Sequence, residues 1–203
     1  ELTGCNIYGK AEYFNPGESV KDRAALFIVR DALKKNLITK GGTIVEGTAG
    51  NTGIGLALVC KEYDLKLKIV IPKTQSIEKK ETLKKYGAEL IEVDAVPYDN
   101  PKNYIKQSKQ LAEELSKTNK NGVYWSNQFD NVINSEAHIQ TTSEEIWNQT
   151  AGTLDGFTCA VGTGGTLAGV SIGLKNKNKN IKVALSDPMG SALFSYIKNN
   201  KLE

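Results

Sequence analysis

Hydrophobic positions along the chain fall into two alternating rhythms. Short apolar runs of three to eight residues predict strands at 6–13, 43–46, 68–71, 89–93, 123–125, 156–161 and 182–186. Between them, apolar residues recur at three- and four-residue spacing. Leu26, Val29, Leu33 and Leu37, flanked by Ala25, Ile28 and Ala32, predict a helix over 21–36. Further helices are predicted at 52–63, 78–86, 103–118, 134–149, from 166 onward, and at 191–199. Asn15-Pro16-Gly17 and Gly41-Gly42 read as breaks, Gly87 as a helix C-terminal residue, and the 95–102 stretch with Pro97 and Pro101 as a loop. Strands alternating with helices define an α/β chain whose mostly parallel sheets are flanked by helices. In such sheets, ligands sit beyond the carboxyl ends of the strands, so the loops after strands are where chemistry is sought.

With 203 residues, the chain holds between one and two domains and buries a core without disulfides or metal. Its net charge of +3 is too balanced for a nucleic-acid binder or a polybasic membrane anchor. Lysine and arginine total 26, and only Arg23 and Arg30 are arginine, which argues against an arginine-based groove reader. No apolar run approaches the roughly 18 residues of a membrane span. Cys5, Cys60 and Cys159 are odd in number and widely spaced, so a reducing, intracellular setting is expected, with each thiol a small buried apolar group. The single histidine, His138, excludes two-histidine zinc motifs, and no metal is expected; a helical surface position is its expected place. Glu1-Leu2-Thr3-Gly4-Cys5 carries neither a starter methionine nor a leader pattern, and the chain reads as part of something longer.

Three strand-to-helix loops stand out. Asn15-Pro16-Gly17-Glu18-Ser19-Val20-Lys21-Asp22-Arg23 delivers Lys21 to the start of a helix, where a cation is disfavoured. Lys21 is either a surface lysine whose stem covers apolar area or an amine poised to form a Schiff base. Glu46-Gly47-Thr48-Ala49-Gly50-Asn51-Thr52-Gly53-Ile54-Gly55 and Gly162-Thr163-Gly164-Gly165-Thr166 both follow a strand and open a helix. Backbone N–H groups there can face a carboxylate or phosphate. Two near-matches carry less. Gly4-Cys5-Asn6-Ile7-Tyr8-Gly9-Lys10-Ala11 has Ala11 where a nucleotide loop needs Ser or Thr, and Ile7 and Tyr8 favour a strand. Leu167 replaces the third glycine of a dinucleotide fingerprint, with Asp187 as its acidic partner, which keeps a nucleotide-binding α/β domain as an alternative.

The Asn15–Arg23 segment resembles the lysine motif of the pyridoxal-phosphate-dependent cysteine synthase family, which includes O-acetylserine sulfhydrylase and the catalytic core of cystathionine β-synthase. Residues 46–57 resemble its substrate loop. Gln128-Phe129, His138 and Glu145-Ile146-Trp147 fit its next segment, and Gly162–Thr166 is identical to its phosphate loop. The motifs keep the family's order across essentially the whole chain. The resemblance implies a two-domain fold of the tryptophan synthase β type, truncated at both ends. A smaller, mobile domain would span 14–125; 1–13 and 126–203 would belong to a larger, incomplete one. Lys21 would carry pyridoxal 5′-phosphate as a Schiff base. Asn51 would hydrogen-bond the cofactor ring oxygen, and Gly162, Thr163, Gly164, Gly165 and Thr166 would hold its phosphate. Thr48, Ala49, Gly50, Thr52 and Gln128 would surround the substrate carboxylate.

The implied reaction is β-replacement, forming cysteine from O-acetylserine and sulfide through an aminoacrylate, with Lys21 as the base. The partners implied are a small amino acid, a sulfur nucleophile and a second copy in a homodimer, in the cytoplasm or mitochondrion, with neither nucleic acid nor membrane involved. Alternatives are a related β-replacement or β-elimination, such as that of cystathionine β-synthase or cysteine desulfhydrase, or a catalytically silent cofactor-binding relative. Two positions depart from the family: Ala49 stands where serine is usual, and Gly47 where proline is. Ser186-Asp187-Pro188-Met189-Gly190-Ser191 looks more like the cystathionine β-synthase branch. The family's Ser or Thr at the pyridine nitrogen lies beyond Glu203, so residues 1–203 alone are expected to be inactive.

Overall fold

A computed structural model describes residues 3–201, and they divide into two compact units, one up to Ser126 and one from Asn127. In the first unit, α1 (Lys21–Lys34) is followed by β1 (Thr43–Gly47), α2 (Asn51–Glu62), β2 (Lys66–Pro72), α3 (Ile77–Lys85), β3 (Ala88–Val93), α4 (Tyr104–Ser116) and β4 (Val123–Trp125). The four strands form one parallel sheet in the order β3-β2-β1-β4. The central strand β1 is buried at all five positions, as a parallel strand covered on both faces should be. Its Ile44 packs with Ile69 and Ile71 of β2, Leu56 of α2 and Val29 of α1 in one continuous core. Local chemistry sets several boundaries: Ser76 and Asn103 cap α3 and α4 by accepting backbone N–H groups, and Gly87, at φ +94°, follows the end of α3.

The expected strand at 6–13 does not form. Residues 6–11 are irregular, and Glu12–Phe14 make a single 3-10 turn. Ile7 and Tyr8 are 81% and 80% exposed. A strand-like sequence gains its backbone hydrogen bonds only from a neighbour, and none of the described strands pairs with this one.

In the second unit, α5 (Ile133–Ala137) and α6 (Ser143–Gln149) are joined by one wide π turn, His138–Thr142. Then come β5 (Gly156–Cys159), α7 (Gly165–Lys177), β6 (Lys182–Leu185) and α8 (Ala192–Asn199). Strands β5 and β6 are parallel neighbours. The expected helix over 134–149 is present, but the π turn inside it is not foreshadowed by its periodicity. Three consecutive hydroxyl residues, Thr141, Thr142 and Ser143, lie at its end. Thr141 Oγ1 donates to the Ala137 carbonyl at 2.6 Å and Ser143 Oγ to the Ile139 carbonyl at 2.6 Å, competing with the backbone ladder.

The core of this unit is small: Ile146, Val170, Leu174 and Ile181, with Trp147, Leu154 and Phe157 packed around them. Three glycines at four-residue spacing on one face of α7 extend it. A Cβ on Gly165 would collide with the Asn134 side chain, one on Gly169 with the Ser135 carbonyl and, at 2.7 Å, His138 Cβ, and one on Gly173 with the Ser143 hydroxyl. Helix α7 therefore lies against the α5–α6 segment with almost no side chain between them. Gly169→Ala is expected to cost about 1–3 kcal/mol of stability, since the colliding Ser135 atom is backbone and cannot rotate away. Alanine normally stabilises a helix interior relative to glycine, so a lowered denaturation midpoint measures the close approach directly.

Candidate functional site

A polar network around residues 12–23 places Lys21. Glu12 takes both Arg23 Nε and Nη2, at 2.8 and 2.9 Å, in a bidentate pair that is about 15% exposed on each side. Asn15 Nδ2 donates to the same carboxylate at 2.7 Å and to the Ser19 carbonyl at 3.0 Å. From the other side, Asp22 accepts the Gly17 N–H at 2.5 Å. The turn between is thus tied to both flanks, and half-buried Lys21 becomes the first residue of α1, with its own N–H on Ser19 Oγ at 3.3 Å. Burial raises the Asp22 carboxyl above its ordinary value; the Gly17 N–H opposes that and the nearby Glu12 charge adds to it. Its second oxygen, Oδ1, is buried with no hydrogen-bond partner and faces Gly55 of α2. Gly55 leaves room for this contact: a Cβ there would sit 3.2 Å from Asp22 Cα and Ala25 Cβ. The first turns of α1 and α2 therefore lie side by side.

The second loop leaves the end of β1 and opens α2. Thr48 is buried, and its Oγ1 accepts the Gly50 N–H at 3.1 Å. Gly50 faces open space, Ala49 is half-buried, Asn51 is the first residue of α2 and exposed, and Thr52 is buried. Beneath the loop, the fully buried Glu46 carboxylate accepts the Ser126 hydroxyl at 2.6 Å. Burial, and then the Glu46 charge, push the Tyr104 phenol above its usual value. Gly47 has a local explanation: a Cβ there would lie 2.7 Å from Ile105 Cα and 2.8 Å from the Tyr104 carbonyl. Helix α4 occupies the space that the family's proline ring would fill.

The third loop belongs to the second unit. Gly164 adopts φ +87° and precedes α7, which begins at Gly165, one residue before the predicted start. Gly162 and Gly164 both face open space. His138, expected on a helix surface, is 1% exposed. Its Nδ1 pairs with Thr142 Oγ1 at 2.8 Å and its Nε2 with Thr166 Oγ1 at 3.2 Å. The π turn and the close approach of α7 draw it inward. Gln128 is buried, and its carbonyl accepts Asn134 Nδ2 at 2.9 Å; the same nitrogen donates to Thr163 Oγ1 at 2.9 Å. Asn134 and the inward-facing His138 were not legible as functional. The available signal was their position on a predicted helix beside the 162–166 loop, without evidence of which face they shared.

The predicted residues therefore fall into two groups. Lys21, Thr48, Ala49, Gly50, Asn51 and Thr52 come together in the first unit. Gln128 and Gly162–Thr166 come together in the second. In the first unit, an amine at a helix start and a loop of amides and hydroxyls ahead of α2 have the donor chemistry for an aldehyde and a carboxylate; in the second, a glycine cradle open at the N-terminus of α7 has that for a phosphate. Of the cysteines, only Cys60 is buried, and burial pushes its thiol up to about 12. Cys5 is exposed and Cys159 half-buried, contrary to the expectation of three buried thiols. Among the described residues, no cluster of His, Cys, Asp and Glu could hold a metal ion, and no helix is long and apolar enough to cross a membrane.

Residues 1–202 match the family model described as pyridoxal-phosphate dependent enzyme, and the chain belongs to that family. Within it, the chain is similar to cysteine synthases. It is 53% identical to cysteine synthase 1 of Neurospora crassa over 98% of its own length and 52% of the relative's. It is 54% identical to cysteine synthase 1 of Emericella nidulans, over 98% and 53%. Among solved structures, a hydrogen sulfide-producing enzyme from Fusobacterium nucleatum superimposes with a TM-score of 0.83 at 40% identity, over 96% of this chain and 60% of that one. The chain spans about half the length of the curated relatives it matches.

The Asp22 carboxyl generates a pH prediction. A carboxyl whose folded value is raised favours the folded state when protonated, and that contribution is lost as pH rises through the raised value, above 3.8. Asp22→Asn keeps an acceptor for the Gly17 N–H and removes the charge. The stability difference, variant minus parent, should grow in the variant's favour between pH 4 and pH 7. Denaturation midpoints at both pH values check it; a difference independent of pH would show that Asp22 is not the group concerned.

Proposed function

We propose that this protein is a pyridoxal-phosphate-dependent cysteine synthase, replacing the acetate of O-acetylserine with sulfide. The observation that carries the reading is the packing of the first turns of α1 and α2, which begin at Lys21 and Asn51, with Gly55 against Asp22 and Ala25, in a chain more than half identical to two cysteine synthases. Pyridoxal phosphate, when bound, supplies the electron sink that makes loss of the substrate's α-proton feasible. Lys21 Nζ would anchor the cofactor and is the base that would receive that proton. Asn51 holds the cofactor ring oxygen. Gly162, Thr163, Gly164, Gly165 and Thr166 bind the phosphate through amides and hydroxyls. Thr48, Ala49, Gly50, Thr52 and Gln128 orient the substrate carboxylate, chiefly through backbone N–H groups.

The same reading includes a homodimer, a small amino-acid substrate, a sulfide-type nucleophile and an intracellular setting, cytoplasmic or mitochondrial. It also takes 14–125 as the smaller domain and joins 1–13 to the larger one. A second reading, β-elimination releasing sulfide, is favoured by the likeness to a hydrogen sulfide-producing enzyme.

Borohydride reduction followed by peptide mapping tests the anchor: the label is expected on Lys21, and Lys21→Ala should lose both label and turnover while remaining folded. A label on another lysine would overturn the assignment. Turnover of O-acetylserine with sulfide, against release of sulfide from cysteine, separates the two readings.

Ala49 yields a graded outcome. Restoring serine adds one hydroxyl donor to a charged ligand, worth about 1.5–3 kcal/mol at most and less where water already fills the gap. Ala49→Ser should therefore tighten O-acetylserine binding without changing cofactor content. Spectroscopic titration of both proteins measures it. Equal dissociation constants would show that the hydroxyl is immaterial, and loss of binding would point to a loop built for another substrate.

A further inference from the structure

Asn134 has no role in the reading above, yet its side chain touches two segments that do. It is 4% exposed, at the start of α5. Both hydrogens of its Nδ2 are used: one goes to the Gln128 carbonyl and the other to Thr163 Oγ1, each at 2.9 Å. Thr163 Oγ1 also accepts the Gly165 N–H at 3.3 Å. The amide orientation follows from its partners, because the flipped form would set Oδ1 against the Gln128 carbonyl oxygen. Oδ1 is left buried without a partner, on the side where a Gly165 Cβ would lie. A native structure that leaves a buried polar atom unsatisfied commits the rest of that group to its two bonds.

A threonine hydroxyl has one hydrogen and two lone pairs. With Asn134 and Gly165 both donating to Thr163 Oγ1, its lone pairs are occupied and its hydrogen can only point outward as a donor. We propose that Asn134 is a positioning residue that fixes the hydrogen-bond polarity of the phosphate loop: it makes Thr163 an obligate donor to an anion and ties that loop to Gln128. This rests on the pyridoxal-phosphate reading and extends it to a residue outside the loop. Gly165 is part of the device, since a side chain there would expel the asparagine.

Asn134→Asp is nearly isosteric and reverses the polarity. The carboxylate accepts the Thr163 hydrogen, turning it away from the anion, and faces the Gln128 carbonyl without a proton between them. In the native holoprotein, stripped and re-titrated with pyridoxal phosphate, Asn134→Asp and Thr163→Val should each weaken binding roughly tenfold or more. The double variant should be weaker than Thr163→Val by far less than Asn134→Asp is weaker than the parent, because the hydroxyl is already gone and only the lost Gln128 bond and the added charge remain. A merely structural asparagine would give penalties that multiply. Thr163→Ser, which keeps the hydroxyl, should recover most of the affinity that Thr163→Val loses, and this comparison stands even where Asn134→Asp fails to fold. Parent-like binding by Asn134→Asp, multiplying penalties, or equal losses in Thr163→Ser and Thr163→Val would each overturn the proposal. A parent protein that takes up no pyridoxal phosphate would instead overturn the reading on which it rests.

Discussion

Beside each candidate loop, this chain removes a side chain and lets a facing element approach a glycine closely. Gly47 lies under α4, Gly55 against the first turn of α1, and Gly165, Gly169 and Gly173 along the α5–α6 segment. Close approach has little tolerance: protein interiors are packed like crystals, and one extra methyl must displace a neighbour. The loops are consequently fixed by helices that cannot slide, although the loops themselves carry few bulky residues. This is how a mostly glycine and threonine sequence can hold amides in one direction without a dense local core.

The two units meet this constraint differently. In the first, a four-stranded parallel sheet with a buried apolar core supports the loops, and a polar network of Glu12, Asn15, Asp22 and Arg23 adjusts the lysine turn at the edge. In the second, the apolar core is small and buried polar bonds share its work. His138, Thr142, Asn134 and Thr163 are hydrogen-bonded in fixed patterns, so this unit is ordered by directional contacts more than by area. Partial satisfaction of such a network is costly, which makes its members sensitive to isosteric change.

Legibility in the sequence followed the range of the forces involved. The helix beginning at Lys21, the strand–helix alternation that makes the sheets parallel, and the glycine loops are set by periodicity and turn chemistry, which are local, and all were readable. The 6–13 segment failed because strand formation depends on a partner elsewhere. His138 failed because its inward direction depends on the π turn and on a glycine stripe nearly thirty residues later. The spacing of Gly165, Gly169 and Gly173 was visible but silent until a facing helix gave it meaning. Asn134 belongs to the same class: an asparagine on a helix is ordinary until both ends of its hydrogen bonds are known.

The π turn at 138–142 also constrains how this segment can change length. A π turn is an α-helix carrying one extra residue, and each residue turns a helix by about 100°. The widened turn takes up that extra residue, so deleting one residue between His138 and Thr142 would restore regular winding and leave Asn134 facing nearly the same way relative to Ser143–Gln149. A residue lost from the regular helical turns on either side has no widened turn to absorb it, and would swing Asn134 away from the α7 face by about 100°. Over evolutionary time, single-residue gaps should therefore gather within 138–142 and in the 150–155 connection, and be rare in the helical turns between.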